Sequence, residues 1–269
     1  MKSFIYQENY SRYYYWCNDI ICNNNSNLED NWLGVIKIYF KKSKLKQLFS
    51  CLQPIIVFIG VQVAISIVLD IIPLKGTQWI QQKLNVSKNL FGVLVSDIVC
   101  GFIFYYTIKK ENRIENEVKE INNKPQITYA LIIKILLISL IFEIIGGEIV
   151  KGFQYVSGID LTGDYAKMMD AIIPSKTILS IVCITLIGPI VEELLFRGIV
   201  YKRASRIMPI HKANLFQAIL FGGTHFNLAQ LIDATAFGYI AGLMYSKYDT
   251  CLVSILFHIF ANVWSMVLP

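Results

Sequence analysis

The stretch GPIVEELLFRGIVYKR, Gly188 to Arg203, sets a Gly-Pro pair inside a long apolar run, places Glu192 beside Glu193, and puts Arg197 four residues after the second glutamate. In a water-soluble helix such charges would be ordinary. At the centre of a membrane helix each costs about 2.5–3.5 kcal/mol on insertion scales, so intramembrane ionisable groups are functional candidates. The meaning of this stretch therefore depends on whether its surroundings are a membrane sequence.

The composition says that they are. Of 269 residues, 55% are hydrophobic and only 16% charged, far from the balance of a soluble domain. About 20 apolar residues span the hydrocarbon of a bilayer as a helix. Apolar runs bounded by charge, Gly or Pro occur at about 48–74, 90–108, 127–150, 177–200, 213–228, 231–247 and 250–268. The expected fold is all-α, a polytopic membrane bundle of about seven helices. It divides into a segment 1–47, three spans and their loops over 48–176, and a C-terminal core over 177–269.

Eighteen of the 25 basic residues fall on one side of this arrangement and six on the other, with Lys134 inside a span. The positive-inside rule then places the N-terminus in the cytoplasm. Basic loops facing anionic lipid account for the net charge of +6 without any nucleic-acid partner. Six cysteines without a CxxC pair imply no disulfide framework, and Cys17 and Cys22 read as reduced residues of the N-terminal segment rather than metal ligands. NWLGVIKIYFKK, residues 31–42, reads as a short amphipathic piece at the inner leaflet. The mixed charges after the second run read as a solvated helix ended by Pro125, with Glu115 and Lys119 at pairing distance. Asp160, Asp164 and Asp170 lie in a connection whose spacing does not fit an EF-hand loop.

The remaining intramembrane charges are Asp97, Lys134, Glu143 and Glu148. All four read as structural, with Asp97 and Lys134 able to pair across helices. The histidines discriminate better. Two of the three, His225 in FGGTH and His258 in HIFAN, lie in apolar runs, and His258 and Asn262 are one helical turn apart. Within EELLFR, Glu193 and Arg197 are spaced as an i,i+4 ion pair, while Glu192 is rotated from Glu193 by about 100°. Glu193 and Arg197 thus support the site and leave Glu192 to face a cavity. Measured at 1.5 Å per residue, Glu192 comes out shallower than His225 and Asn262, and the four groups with His258 can meet in the cytoplasmic half of the membrane if the fourth helix runs on past Arg203.

A carboxylate and a histidine sharing a water make a general base, and a histidine with an asparagine makes donors for an oxyanion. A zinc ion held by Glu192, His225 and His258 is the other reading of the same groups, although the compact HExxH spacing is absent.

The motifs GPIVEELLFRG, FGGTH and HIFAN, in that order on successive apolar segments, resemble those of the CPBP intramembrane proteases. That family includes the CAAX prenyl proteases and the Abi-type bacteriocin-processing and self-immunity proteins. The resemblance covers about residues 177–269. It implies an intramembrane endopeptidase in which Glu192 and His225 activate water, His258 and Asn262 stabilise the oxyanion, and Glu193 with Arg197 supports them. It implies a peptide or membrane-protein substrate, and leaves metallo- and glutamate-type mechanisms both open. The Asn, Ile and Lys bias fits a bacterial plasma-membrane protein, which points to bacteriocin processing or self-immunity. A non-catalytic immunity or scaffold protein on the same fold is the alternative, and a transporter using these groups as a proton relay is a third.

Overall fold

A computed structural model describes residues 29–71, 82–83, 87–116, 127–158, 163, 177–225 and 228–268. Cys17, Cys22, Lys119, Pro125, Asp160, Asp164 and Asp170 lie outside these residues, as do the charged connections around them. Among the described residues the chain is helical, without strands. It divides into two units, Met1–Lys46 and Gln47–Pro269.

Seven helices follow in order: α1 (Glu29–Ile71), α2 (Lys88–Asn116), α3 (Tyr129–Ser157), α4 (Ile178–Ser205), α5 (Ile210–Gly223), α6 (Leu228–Tyr248) and α7 (Cys251–Val267). Four stretches are long and apolar enough to cross a membrane, namely Leu45–Ile71, Lys88–Asn112, Tyr129–Ser157 and Ile178–Ser205. The amphipathic piece 31–42 is the opening part of α1 rather than a separate element. No breaker separates it from the span, and Lys, Leu and Gln at 41–48 are good helix formers.

Two of the ends are capped as their sequence suggests. Thr128 and Thr177 accept backbone N–H bonds at the starts of α3 and α4, at 3.3 and 3.2 Å, the usual service of a threonine N-cap. Helix α3 stops at Gly158, whose φ of 69° lies in the left-handed region that glycine adopts without a Cβ penalty.

The outer face of α3 carries Ile133, Leu137, Ile141 and Ile145, four apart and exposed. Such a row would be a liability in water and is a natural lipid-facing stripe. The Asp97–Lys134 pair does not form. Asp97 is only 5% exposed, on a face of α2 turned to Gly188 of α4, whereas Lys134 lies on the exposed surface. Of the other intramembrane charges, Glu148 pairs with Lys151 at 3.0 Å on the surface.

Helices α2 and α4 run parallel. Asp97 lies at Gly188, Gly101 against Val191, Ile108 at Gly198 and Asn112 at Lys202. At the end of this seam, Lys202 donates to Asn112 at 2.6 Å and Arg203 to Glu111 at 2.7 Å, while Arg203 also reaches the Ser50 carbonyl of α1.

Helices α5 and α6 pack closely because α6 carries Ala234, Gly238 and Gly242 at four-residue intervals, a small-residue face that lets backbones approach. The tightest point on α5 is Gly222. A Cβ there would sit 2.6 Å from the Leu231 carbonyl oxygen and 3.1 Å from the Thr235 nitrogen, both backbone atoms that cannot step aside. Gly223 next to it has open space. Gly222→Ala is therefore expected to lower stability by about 1–3 kcal/mol through overpacking, and Gly223→Ala to leave it nearly unchanged. Thermal unfolding of both variants in detergent separates the two cases.

Candidate active site

The stretch that opened the sequence reading lies in an irregular helix. Within α4, Cys183–Ile187 and Leu194–Tyr201 are π-helical, and the α-helical turn Gly188–Glu193 lies between them. Pro189 explains the first irregularity. In an α-register its ring would clash with the carbonyl four residues back, and it has no N–H to give. Widened turns of this kind concentrate at functional sites, because they re-aim the side chains that follow.

The Glu193–Arg197 pair forms as the spacing predicts, with Arg197 Nη1 donating to Glu193 Oε1 at 2.8 Å and both side chains fully buried. It also does more than support Glu192 from a distance. Glu193 Oε1 accepts from His258 Nδ1 at 2.9 Å, and His258 Nε2 faces Glu192 Oε2 at 3.7 Å. The line Arg197–Glu193–His258–Glu192 therefore joins α4 to α7 and ends on the more accessible of the two carboxylates. Glu192 is half-buried where Glu193 is sealed.

His225 is placed differently from the sequence reading. The apolar run 213–228 is not one helix, since α5 ends at Gly223 and His225 sits in the turn that follows. Its Nδ1 lies 3.0 Å from the Phe221 carbonyl. A carbonyl only accepts, so Nδ1 carries the proton and Nε2 of the neutral ring is left with its lone pair. Asn262 donates Nδ2 to the Ile184 carbonyl at 2.9 Å, within the first π-turn.

Phe221 holds these groups together. Its ring lies edge-on to His225 at 5.1 Å and to His258 at 5.9 Å, and the Arg197 guanidinium sits 4.7 Å from its centroid, a cation–π distance. Phe237 of α6 packs beside Phe221 against His258 at 4.5 Å and stacks on Phe257 of α7 at 4.9 Å. Phe142 of α3 closes this cluster against Phe237 and Phe257.

Sequence reasoning missed a layer of neutral polar residues. Gln217 Nε2 donates to the Gly238 carbonyl at 2.8 Å, where Arg197 Nη2 also donates at 3.2 Å, and Asn214 Nδ2 donates to the Tyr239 carbonyl at 2.9 Å. Asn214 and Gln217 are both buried. The signal was available, since amides three apart in an apolar run are as unexpected in a membrane as charges. A search confined to ionisable groups passes over them.

Among the described residues, no three His, Cys, Asp or Glu side chains converge to hold a metal ion. Glu192, His225 and His258 do not converge as a three-ligand zinc centre, although each histidine commits Nδ1 to an oxygen, the bonding a metal-bound imidazole would also show. As arranged, the donors do not fit the group.

Removing one partner of a buried ion pair leaves an uncompensated charge and costs about 3–5 kcal/mol. Arg197→Met is expected to lose stability on that scale, and adding Glu193→Gln to recover part of it. The measurement is unfolding of the single and double variants under identical detergent conditions, with equal stabilities counting against the pair.

The family described as type II CAAX prenyl endopeptidase Rce1-like matches residues 174–264. The chain is also 26% identical over 114 residues to the Bacillus subtilis (strain 168) protein named "Putative membrane peptidase YdiL", an alignment covering 42% of this chain and 46% of the relative. It thus spans about half the length of that protein. No solved structure matches. The matched segment contains α4 to α7 almost whole and every residue of the Arg197–Glu193–His258–Glu192 line, together with His225 and Asn262. The chain is thus a multi-pass membrane protein whose residues 174–264 match the Rce1-like, CPBP-type protease family.

Proposed function

We propose that this protein is an intramembrane endopeptidase that hydrolyses a peptide bond of a membrane-associated peptide or protein with water activated by Glu192 and His225. The observation that carries the reading is His258, whose Nδ1 is fixed by the sealed carboxylate of Glu193 at 2.9 Å while its Nε2 faces Glu192 at 3.7 Å. A ring oriented by a buried acid and directed at a second, accessible carboxylate is the arrangement of positioned acid–base chemistry.

In the proposed reaction Glu192 takes a proton from the water, with His225 Nε2 as the second acceptor. The oxygen bonds to the substrate carbonyl carbon, and the carbonyl π pair moves onto oxygen. That oxyanion is met by the second Asn262 N–H and by Nε2 of His258, which donates when the ring carries both protons. On collapse the C–N bond breaks, and the amine leaves with the proton first taken from water. Glu193 and Arg197 hold His258 in place throughout. The family match supports a substrate of the CAAX-tail kind, anchored in or at the bilayer. Bacteriocin processing or self-immunity in a bacterial plasma membrane, with the N-terminus inside, is the biological setting we propose.

General acid–base groups contribute about 10²–10⁴-fold. Glu192→Gln and His225→Ala are each expected to cut cleavage by at least about 100-fold with little change in melting temperature. The assay compares, by mass spectrometry, peptides released from membranes of cells carrying wild-type protein or either variant. Wild-type release by both variants would sink the mechanism and favour a non-catalytic immunity or scaffold role on the same fold.

A further inference from the structure

Asn262 is anchored by a carbonyl that a proline has left open. In the π-turn Cys183–Ile187, the Gly188 N–H bonds to the Cys183 carbonyl, five residues back. The next acceptor in this register is Ile184, and the residue five after it is Pro189, which has no N–H. In an α-register the donor to Ile184 would be Gly188, but that N–H is already spent on Cys183. Neither backbone donor serves Ile184, and an unpaired carbonyl inside an apolar bundle is costly. Asn262 Nδ2 fills the gap from α7 at 2.9 Å.

We infer that Pro189 is a positioning residue: by withholding its N–H it keeps the Ile184 carbonyl as a docking point for the Asn262 carboxamide, and so fixes α7 against α4 beside Glu192. The consequence reaches His258, one turn before Asn262 on the same helix, whose Nδ1 meets Glu193 of the turn that Pro189 begins. Helix α7 is thus tied to α4 at two points, a carboxylate and a carbonyl. The first is visible as a charge in the sequence. The second uses a carbonyl that proline at 189 leaves without a backbone donor. This role deepens the proposed reaction, since the anchored amide has one N–H committed and the other free to be aimed.

The test is Pro189→Ala. Alanine at 189 supplies an N–H, and whether the turn stays π or relaxes to α, the Ile184 carbonyl gains a backbone donor from residue 189 or 188. Asn262 then competes with an in-line backbone donor for the same carbonyl oxygen. With ¹⁵N-asparagine labelling in detergent micelles, the Asn262 side-chain amide, assigned by its disappearance in Asn262→Ala, is expected to lose its hydrogen-bonded downfield shift in Pro189→Ala. An unchanged resonance overturns the inference. A thermal cycle checks it without spectroscopy: Pro189→Ala should raise the melting temperature more in an Asn262→Ala background, where the Ile184 carbonyl has no donor, than in wild type. Equal effects in the two backgrounds also overturn it. In the cleavage assay, Pro189→Ala is expected to lower kcat by about 10- to 100-fold with KM little changed, as misplacement of a catalytic group does. If wild-type protein cleaves nothing, the protease reading fails while the shift and the cycle still decide the anchoring.

Discussion

The buried contact between Glu193 and Arg197 is the interaction on which the site is built. Both side chains are sealed from solvent, and taking two charges out of water is so costly that geometry must be good for the pair to persist. The chain meets that demand on several sides. Arg197 gives its second nitrogen to the Gly238 carbonyl and lies over Phe221. Glu193 takes a second donor from His258. Satisfying this one pair draws α4, α5, α6 and α7 to one point, and that convergence makes a site possible. The pair thus specifies an arrangement more than it stabilises a fold.

Around it the packing rules are those of membrane helices rather than of soluble cores. Helix α6 presents small residues to α5, where Asn214 and Gln217 bond to its carbonyls. Such amides would gain little in water, whereas in an apolar bundle they are the adhesive that hydrophobicity cannot supply. The aromatic cluster Phe142, Phe237 and Phe257 fills the space behind His258. The imidazole is therefore held by apolar faces on one side and carboxylates on the other.

Helix α4 has to be irregular to serve both purposes. A regular α-helix through Pro189 would carry a clash, and the π-turns on either side of Gly188–Glu193 let the helix keep its axis while re-aiming the glutamates. The freed Ile184 carbonyl and Asn262 then meet. Backbone irregularity and side-chain chemistry are one feature here, since the missing N–H of Pro189 generates both.

Much of this was legible in the sequence, for definite reasons. Apolar run length follows from bilayer thickness, so the seven helices emerge close to where composition places them. The i,i+4 spacing of Glu193 and Arg197 is a local property of any helix, so their contact could be read without a fold. His258 and Asn262 share a face for the same reason. What could not be read was long-range or depended on backbone register. The end of α5 at Gly223, which puts His225 in a turn, is set by how closely α6 can return past Gly222. The choice of Glu193 rather than Glu192 as the acceptor of His258 Nδ1 depends on the rotation of α4 after a π-turn. The failure of Asp97 to meet Lys134 depends on which face of α3 the bundle buries. Sequence determined which polar residues enter the membrane and how neighbours on one helix are spaced, because those follow from helix geometry and solvent alone. Tertiary structure decided which of them meet, because that is fixed by helix register and close packing between segments distant in the chain.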